Sequence, residues 1–121
     1  MFRPFGYVLF VGVALAAITA PALAAGAWTS SAVPEKVEIV RADGFVIFGA
    51  FGNPGATPCD VADALWVSVS HAQYEALLST ALAALAGGLK LRAFPHNCTV
   101  YGWHGGSHNE IISGGALEIS K

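Results

Sequence analysis

Basic residues are scarce in this chain: six Lys and Arg are scattered over 121 positions, and no two are adjacent. Without a basic stripe it lacks the electrostatic footprint of a nucleic-acid binder or of a protein that docks on anionic lipid. Catalytic signatures are missing too. No serine stands in a G-x-S-x-G elbow, and Asp60 and Asp63 read as loop and capping residues as readily as a glycosidase pair. Ser68, Ser79 and Ser107 are available for hydrolysis, but availability is not a motif. The expectation is a protein that is not an enzyme and carries no cofactor.

Long apolar runs are absent apart from one at the start. Arg3 supplies a positive charge, residues 7 to 20 are almost wholly apolar, and Pro21-Ala22-Leu23-Ala24 ends in the small-x-small pattern of a signal-peptidase site. The run is shorter than the roughly 20 residues a membrane span needs, and neutral Ala25-Gly26-Ala27 follows it. Residues 1–24 therefore read as a signal peptide and 25–121 as one domain, periplasmic or secreted, with no stable membrane insertion after cleavage. That domain has five basic against eight acidic residues, a net charge of −3.

Cysteine is present only twice, at Cys59 and Cys98. In an oxidising compartment the simplest reading is one disulfide, and closing a loop of about 40 residues stabilises the fold by roughly 4 kcal/mol in the chain-entropy model. A chain this small has a modest core, so a covalent staple matters.

Lys36 to Arg41 alternates polar and apolar residues as a half-buried strand does, Ala42-Asp43-Gly44 turns, and Phe45 to Phe51 returns as the second arm of a hairpin. Gly52 to Pro58 is a loop that delivers Cys59. Ala64 to Ser70 alternates again, with Leu65, Val67 and Val69 on one face and Trp66 and Ser68 on the other. Ser70 and Gln73 have capping-box spacing, and Tyr74, Leu77, Leu78, Ala81, Leu82 and Leu85 form a helical stripe that ends at Gly87-Gly88. The other face, Ser79, Thr80, Ala83, Ala84 and Ala86, is small and neutral, which suits a homo-oligomer contact. Leu89 to Phe94 alternates as a fourth strand, and Pro95 marks a corner or an interruption before Cys98. Asn109 to Ile112 and Ala116 to Ser120 supply closing strands. The sum is an α+β fold: a small curved antiparallel sheet of about five strands, OB-like, with one helix between strands 3 and 4 and a disulfide clamping the strands that flank it.

Trp28-Thr29-Ser30 before the first strand, a Gly-Asn-Pro loop before a cysteine, Tyr74 opening a Leu/Ala helix, a basic alternating strand and a second cysteine before aromatics resemble a family of small exported bacterial proteins. The layout is similar to the B subunits of subtilase cytotoxin and its typhoid-toxin relative. That resemblance covers about Trp28 to Ile119 and is most specific over Leu77 to Arg92. It implies an OB fold, export, a pentameric ring and binding of sialylated glycans. Glu35 and Pro95 stand where those subunits hold their sugar with a serine and a tyrosine, and the cysteine pair spans the helix rather than preceding it. Glycan specificity therefore does not carry over with the fold.

Two groups are candidate sites. Tyr101 and Trp103 alternate beside the Gly105-Gly106 loop, and flat aromatic faces are what sugars or exposed peptides stack on. They make a glycan or a protein the expected partner of a recognition domain. His104 and His108, with His96 and Glu110 nearby, have the ligand chemistry of zinc or copper and carry the alternative of a small periplasmic metal-binding protein or enzyme.

Overall fold

The structure, a computed structural model, describes residues 26–102 and 104–121; the expected signal peptide and Trp103 lie outside the described residues. Strand β1 (Lys36–Val40) turns through residues 41–43 into β2 (Gly44–Phe48), and β3 (Val61–Ser68) pairs with β2 in turn. Both pairings are antiparallel. Helix α1 (Tyr74–Gly87) follows, then β4 (Lys90–Phe94), β5 (Asn97–Thr99), β6 (His108–Glu110) and β7 (Ala116–Ser120). The five-stranded sheet has the order β1-β2-β3-β6-β5, while β4 and β7 form a second, two-stranded sheet.

The expected α+β fold is present, with one helix between the third and fourth strands and the Cys59–Cys98 disulfide formed. The sheet is mixed rather than purely antiparallel, because β6 runs parallel to β3. The chain leaves β3 through the helix and reaches β6 only after β4 and β5, a crossover long enough to permit parallel pairing. Pro95, which has no amide hydrogen to donate, breaks the fourth strand into β4 and β5. Gly115 breaks its partner into β6 and β7: a Cβ there would lie 2.6 Å from the Phe94 carbonyl oxygen. The two halves thus turn a corner together and remain paired on both sides of it. Beyond the corner, Ala32 exchanges backbone hydrogen bonds with Leu91 (2.9 and 2.8 Å), tying the lead-in of β1 to β4 without closing a barrel.

Phe45, Ile47, Phe51, Leu65, Val67, Leu91, Ala93 and Ile111 meet Ala81 and Ala84 of the helix in the main core. The buried stripe is centred on Ala81, not on the leucines. Ala84, expected on the outward face, is fully buried, whereas Leu82 and Leu85 are 46% and 37% exposed. Small residues let the helix approach the sheet closely, and the leucines flank the contact. The capping box does not form. Ser70 Oγ pairs instead with Ser68 Oγ at 2.9 Å, and the Gln73 amide donates to Nδ1 of His71. An extra turn after β3 moves the helix start to Tyr74, so the imidazole takes the place the serine was expected to fill. Gly88 ends the helix in the left-handed conformation, φ 62°, as expected.

Candidate functional site

The outer face of the sheet is covered as well as the inner one. Val40, Val46, Ala64 and Trp66 form a second apolar cluster, closed by Tyr101 from the segment between β5 and β6. The described residues of that segment form a strap rather than a strand. Tyr101 lies parallel to Trp66, with centroids 3.9 Å apart and planes 3° from coplanar. Its ring neighbours His108 at 4.5 Å and His104 at 5.1 Å, and it is 6% exposed. Its hydroxyl is buried and finds no hydrogen-bond partner among the described residues. Burial, and secondarily the charge of Glu38, push its pKa up to about 12. The expected sugar-stacking face of Tyr101 is therefore occupied by Trp66, and its expected partner Trp103 lies outside the described residues.

The histidines hold the strap down. His104 Nε2 donates to Glu38 Oε1 at 3.0 Å, and this bond holds the Glu38 carboxyl below its ordinary range against an opposing desolvation. His108 Nδ1 donates to the Gly106 carbonyl oxygen at 3.1 Å. Burial lowers the His108 pKa, so the ring resists protonation. At the strap's far end Asp60 and Ser107 bond reciprocally, the Asp60 amide to Ser107 Oγ at 3.0 Å and the Ser107 amide to Asp60 Oδ2 at 2.9 Å. The Ser107 amide is the first cause of a lowered Asp60 pKa. His96 is not part of this group; its ring packs edge-on against Phe94, 5.0 Å away. Among the described residues no three His, Cys, Asp or Glu side chains converge in a way that could hold a metal ion.

The disulfide is anchored from one side. Cys59 is 7% exposed while Cys98 is exposed at the sheet edge. Asn53 brackets Cys59, accepting from its amide at 3.0 Å and donating to its carbonyl at 2.7 Å. Buried Asn109 donates to Asn53 Oδ1 at 3.0 Å. The 3.3 Å approach of Cys59 Sγ to Asn109 Oδ1 is a contact and not a hydrogen bond, because a half-cystine has no proton to give.

An exposed aromatic face lies elsewhere. In the β4–β7 register Arg92 stands opposite Glu118, and its Nε and Nη2 both donate to Glu118 Oε2, at 2.9 and 2.6 Å. The guanidinium lies over the Trp28 ring, 4.1 Å from its centroid. Phe94, two residues along the same face of β4, meets Trp28 edge-on at 5.3 Å. Thr29 fixes the chain beside it: its amide donates to the Ala93 carbonyl at 2.8 Å and its hydroxyl accepts from the Ala93 amide at 3.0 Å. Trp28 nevertheless remains 41% exposed. The result is a braced indole with the Arg92–Glu118 pair stacked on one of its faces.

Sequence reasoning passed over this face. The period-2 pattern places Arg92 and Phe94 together on β4, but only the register brings Glu118 beside them. No protein-family model, curated protein or solved structure matches the chain.

Proposed function

We propose that the chain is a non-catalytic recognition domain of the periplasm or cell exterior that binds a glycan on the Trp28–Arg92–Phe94 face. The observation that carries this reading is the exposure of Trp28 on a rigid mount. A large aromatic side chain held at 41% exposure forgoes burial that would stabilise the fold by about 1.5–3 kcal/mol, a cost that binding recovers. The flat indole offers an apolar plate for the C–H face of a sugar ring. Arg92 and Glu118 offer polar atoms for its hydroxyls, and such a mixture of an apolar wall with few fixed polar groups is typical of ligand sites. If the domain assembles as a ring of copies, weak contacts at each Trp28 face would be multiplied. The disulfide fits an oxidising compartment. Among the described residues no helix is long and apolar enough to cross a membrane.

Titrating residues 25–121 with a glycan panel while following tryptophan emission tests the proposal. A responding glycan should lose its effect with Trp28→Ala and weaken about tenfold with Arg92→Ala, while both variants keep the wild-type circular dichroism spectrum. A response that survives Trp28→Ala would move the site elsewhere. Exposed peptides that quench Trp28 when no glycan does would make the domain a protein-binding module.

A further inference from the structure

Strands β3 and β6 are a parallel pair, and their chains part company at the carboxyl ends. After Ser68 the chain turns towards α1; after Glu110 it runs through Ile111 and Ile112 to the turn before β7. Divergence of neighbouring parallel strands leaves a crevice outside their carboxyl ends, the geometry that places ligands in open sheets. Here the crevice has a volume of about 110 Å³ and is lined by Ser68, Ser70, His71, Glu110, Ile112 and Ser113, with Ile111 behind them. It is somewhat smaller than the roughly 150 Å³ cavity that accepts a benzene molecule, so it takes a group of a few non-hydrogen atoms.

The polar inventory of the cleft is lopsided. One hydrogen bond of 2.9 Å joins the Ser68 and Ser70 hydroxyls, which uses one of their two protons, and Ser68 Oγ also accepts from the Ser70 amide at 3.3 Å. Glu110 takes the Thr99 hydroxyl on Oε2 at 3.1 Å, which leaves capacity on its other oxygen. The His71 ring contributes no donor to the opening, since Nδ1 is accepting and Nε2 is shut off from solvent. Three hydroxyl oxygens and a carboxylate therefore hold more lone pairs than there are protons to meet them, around one negative charge. A carboxylate or phosphate entering there would face Glu110. A group with several N–H donors and a positive charge would satisfy the site.

We propose that this cleft binds a primary ammonium group, its N–H donors directed to Glu110 and the serine hydroxyls and its alkyl stem lying on Ile112. The amino end of α1, with about half a positive charge, opposes this, but a full carboxylate in contact with the ligand outweighs a partial charge a turn of chain away. The site is independent of the Trp28 face.

Titrating residues 25–121 with n-butylammonium at low salt, while recording amide chemical shifts, is the test. Saturable shifts should concentrate at Ser70, Ile112 and Ser113, and Nα-acetyl-lysine amide in parallel shows whether a lysine side chain enters as well as a free amine. Glu110→Gln should weaken binding at least tenfold, and Ser113→Ala, at an exposed turn that leaves the Thr99 bond intact, several-fold. Tetramethylammonium, which has the charge without N–H donors, and butyrate should leave these amides unmoved. Equal shifts with either control, or unchanged affinity in folded Glu110→Gln or Ser113→Ala, would overturn the assignment.

Discussion

Replacing Tyr101 with phenylalanine removes one oxygen from a residue that looked, in the sequence, like a ligand contact. In the fold that oxygen is buried and has no hydrogen-bond partner among the described residues. A polar group taken from water without a new partner costs about 1–3 kcal/mol. The ring's own contribution, a parallel stack on Trp66 at 3.9 Å, is worth roughly 0.5–1.5 kcal/mol beyond its buried area and is kept by phenylalanine. Tyr101→Phe should therefore stabilise the domain by about 1–2 kcal/mol. Tyr101→Ala, which empties the space against Val40, Val46 and Trp66, should destabilise it by about 3–5 kcal/mol.

Urea unfolding of the oxidised protein at 25 °C, followed by far-ultraviolet circular dichroism, measures both. The two variants should shift the midpoint in opposite directions at constant m-value. If Tyr101→Phe instead lost 1 kcal/mol or more, the hydroxyl would have a partner in solution. The strap would then not be simple packing, and Tyr101 would return as a binding residue.

Three further outcomes are expected. Reduction of the Cys59–Cys98 bond, whose ends are 39 residues apart, should remove about 4 kcal/mol and lower Tm by roughly 15–30 °C; equal melting with and without a reductant would show that the staple does not carry stability. Gly44→Ala should cost about 2–4 kcal/mol, because at φ 154° its Cβ would strike the Val67 carbonyl oxygen and approach the Trp66 ring to 2.7 Å; wild-type stability in urea would mean the β2 end shifts freely. Stability should fall on acidification in two stages. His108, held below its ordinary 6.5, loses its contribution as pH falls through and below that value, since the unfolded chain takes the proton first. Glu38, held below 4.5, loses its own only under more acid conditions, so in a Tm series against pH Glu38→Gln should flatten the lower stage and spare the upper.

The alternating segments were legible because their apolar residues repeat with period two, and Lys36–Val40, Lys90–Phe94 and Ala116–Ser120 form strands close to where the pattern places them. The disulfide was legible because two cysteines have one pairing. Parallel alignment of β6 with β3 was not, since three residues, His108 to Glu110, carry no periodicity that distinguishes direction. The helix face was misjudged by weighting leucine over alanine: close packing on the sheet selects Ala81 and Ala84, and hydrophobicity alone does not reveal packing distance. At Tyr101 the surroundings were not legible. Trp66 alternates onto the face opposite Leu65, and nothing local to it announces that Tyr101 packs across it.

In that strap Tyr101 and the two histidines already have partners within the fold. Four side chains there are committed: Tyr101 to Trp66, His104 to Glu38, His108 to Gly106 and Ser107 to Asp60. Releasing them would expose the cluster around Val46 and break the bonds that seat the strap, a cost a small domain of about 5–15 kcal/mol total stability bears poorly. Trp28 needs no such release. Its mount is made by Arg92, Phe94 and Thr29 from below, so an incoming ring meets an indole already in place and gives up little of its binding energy to ordering the protein. Binding on the proposed Trp28 face would therefore leave the folded state intact, whereas binding through Tyr101, His104 or His108 would have to unmake part of it.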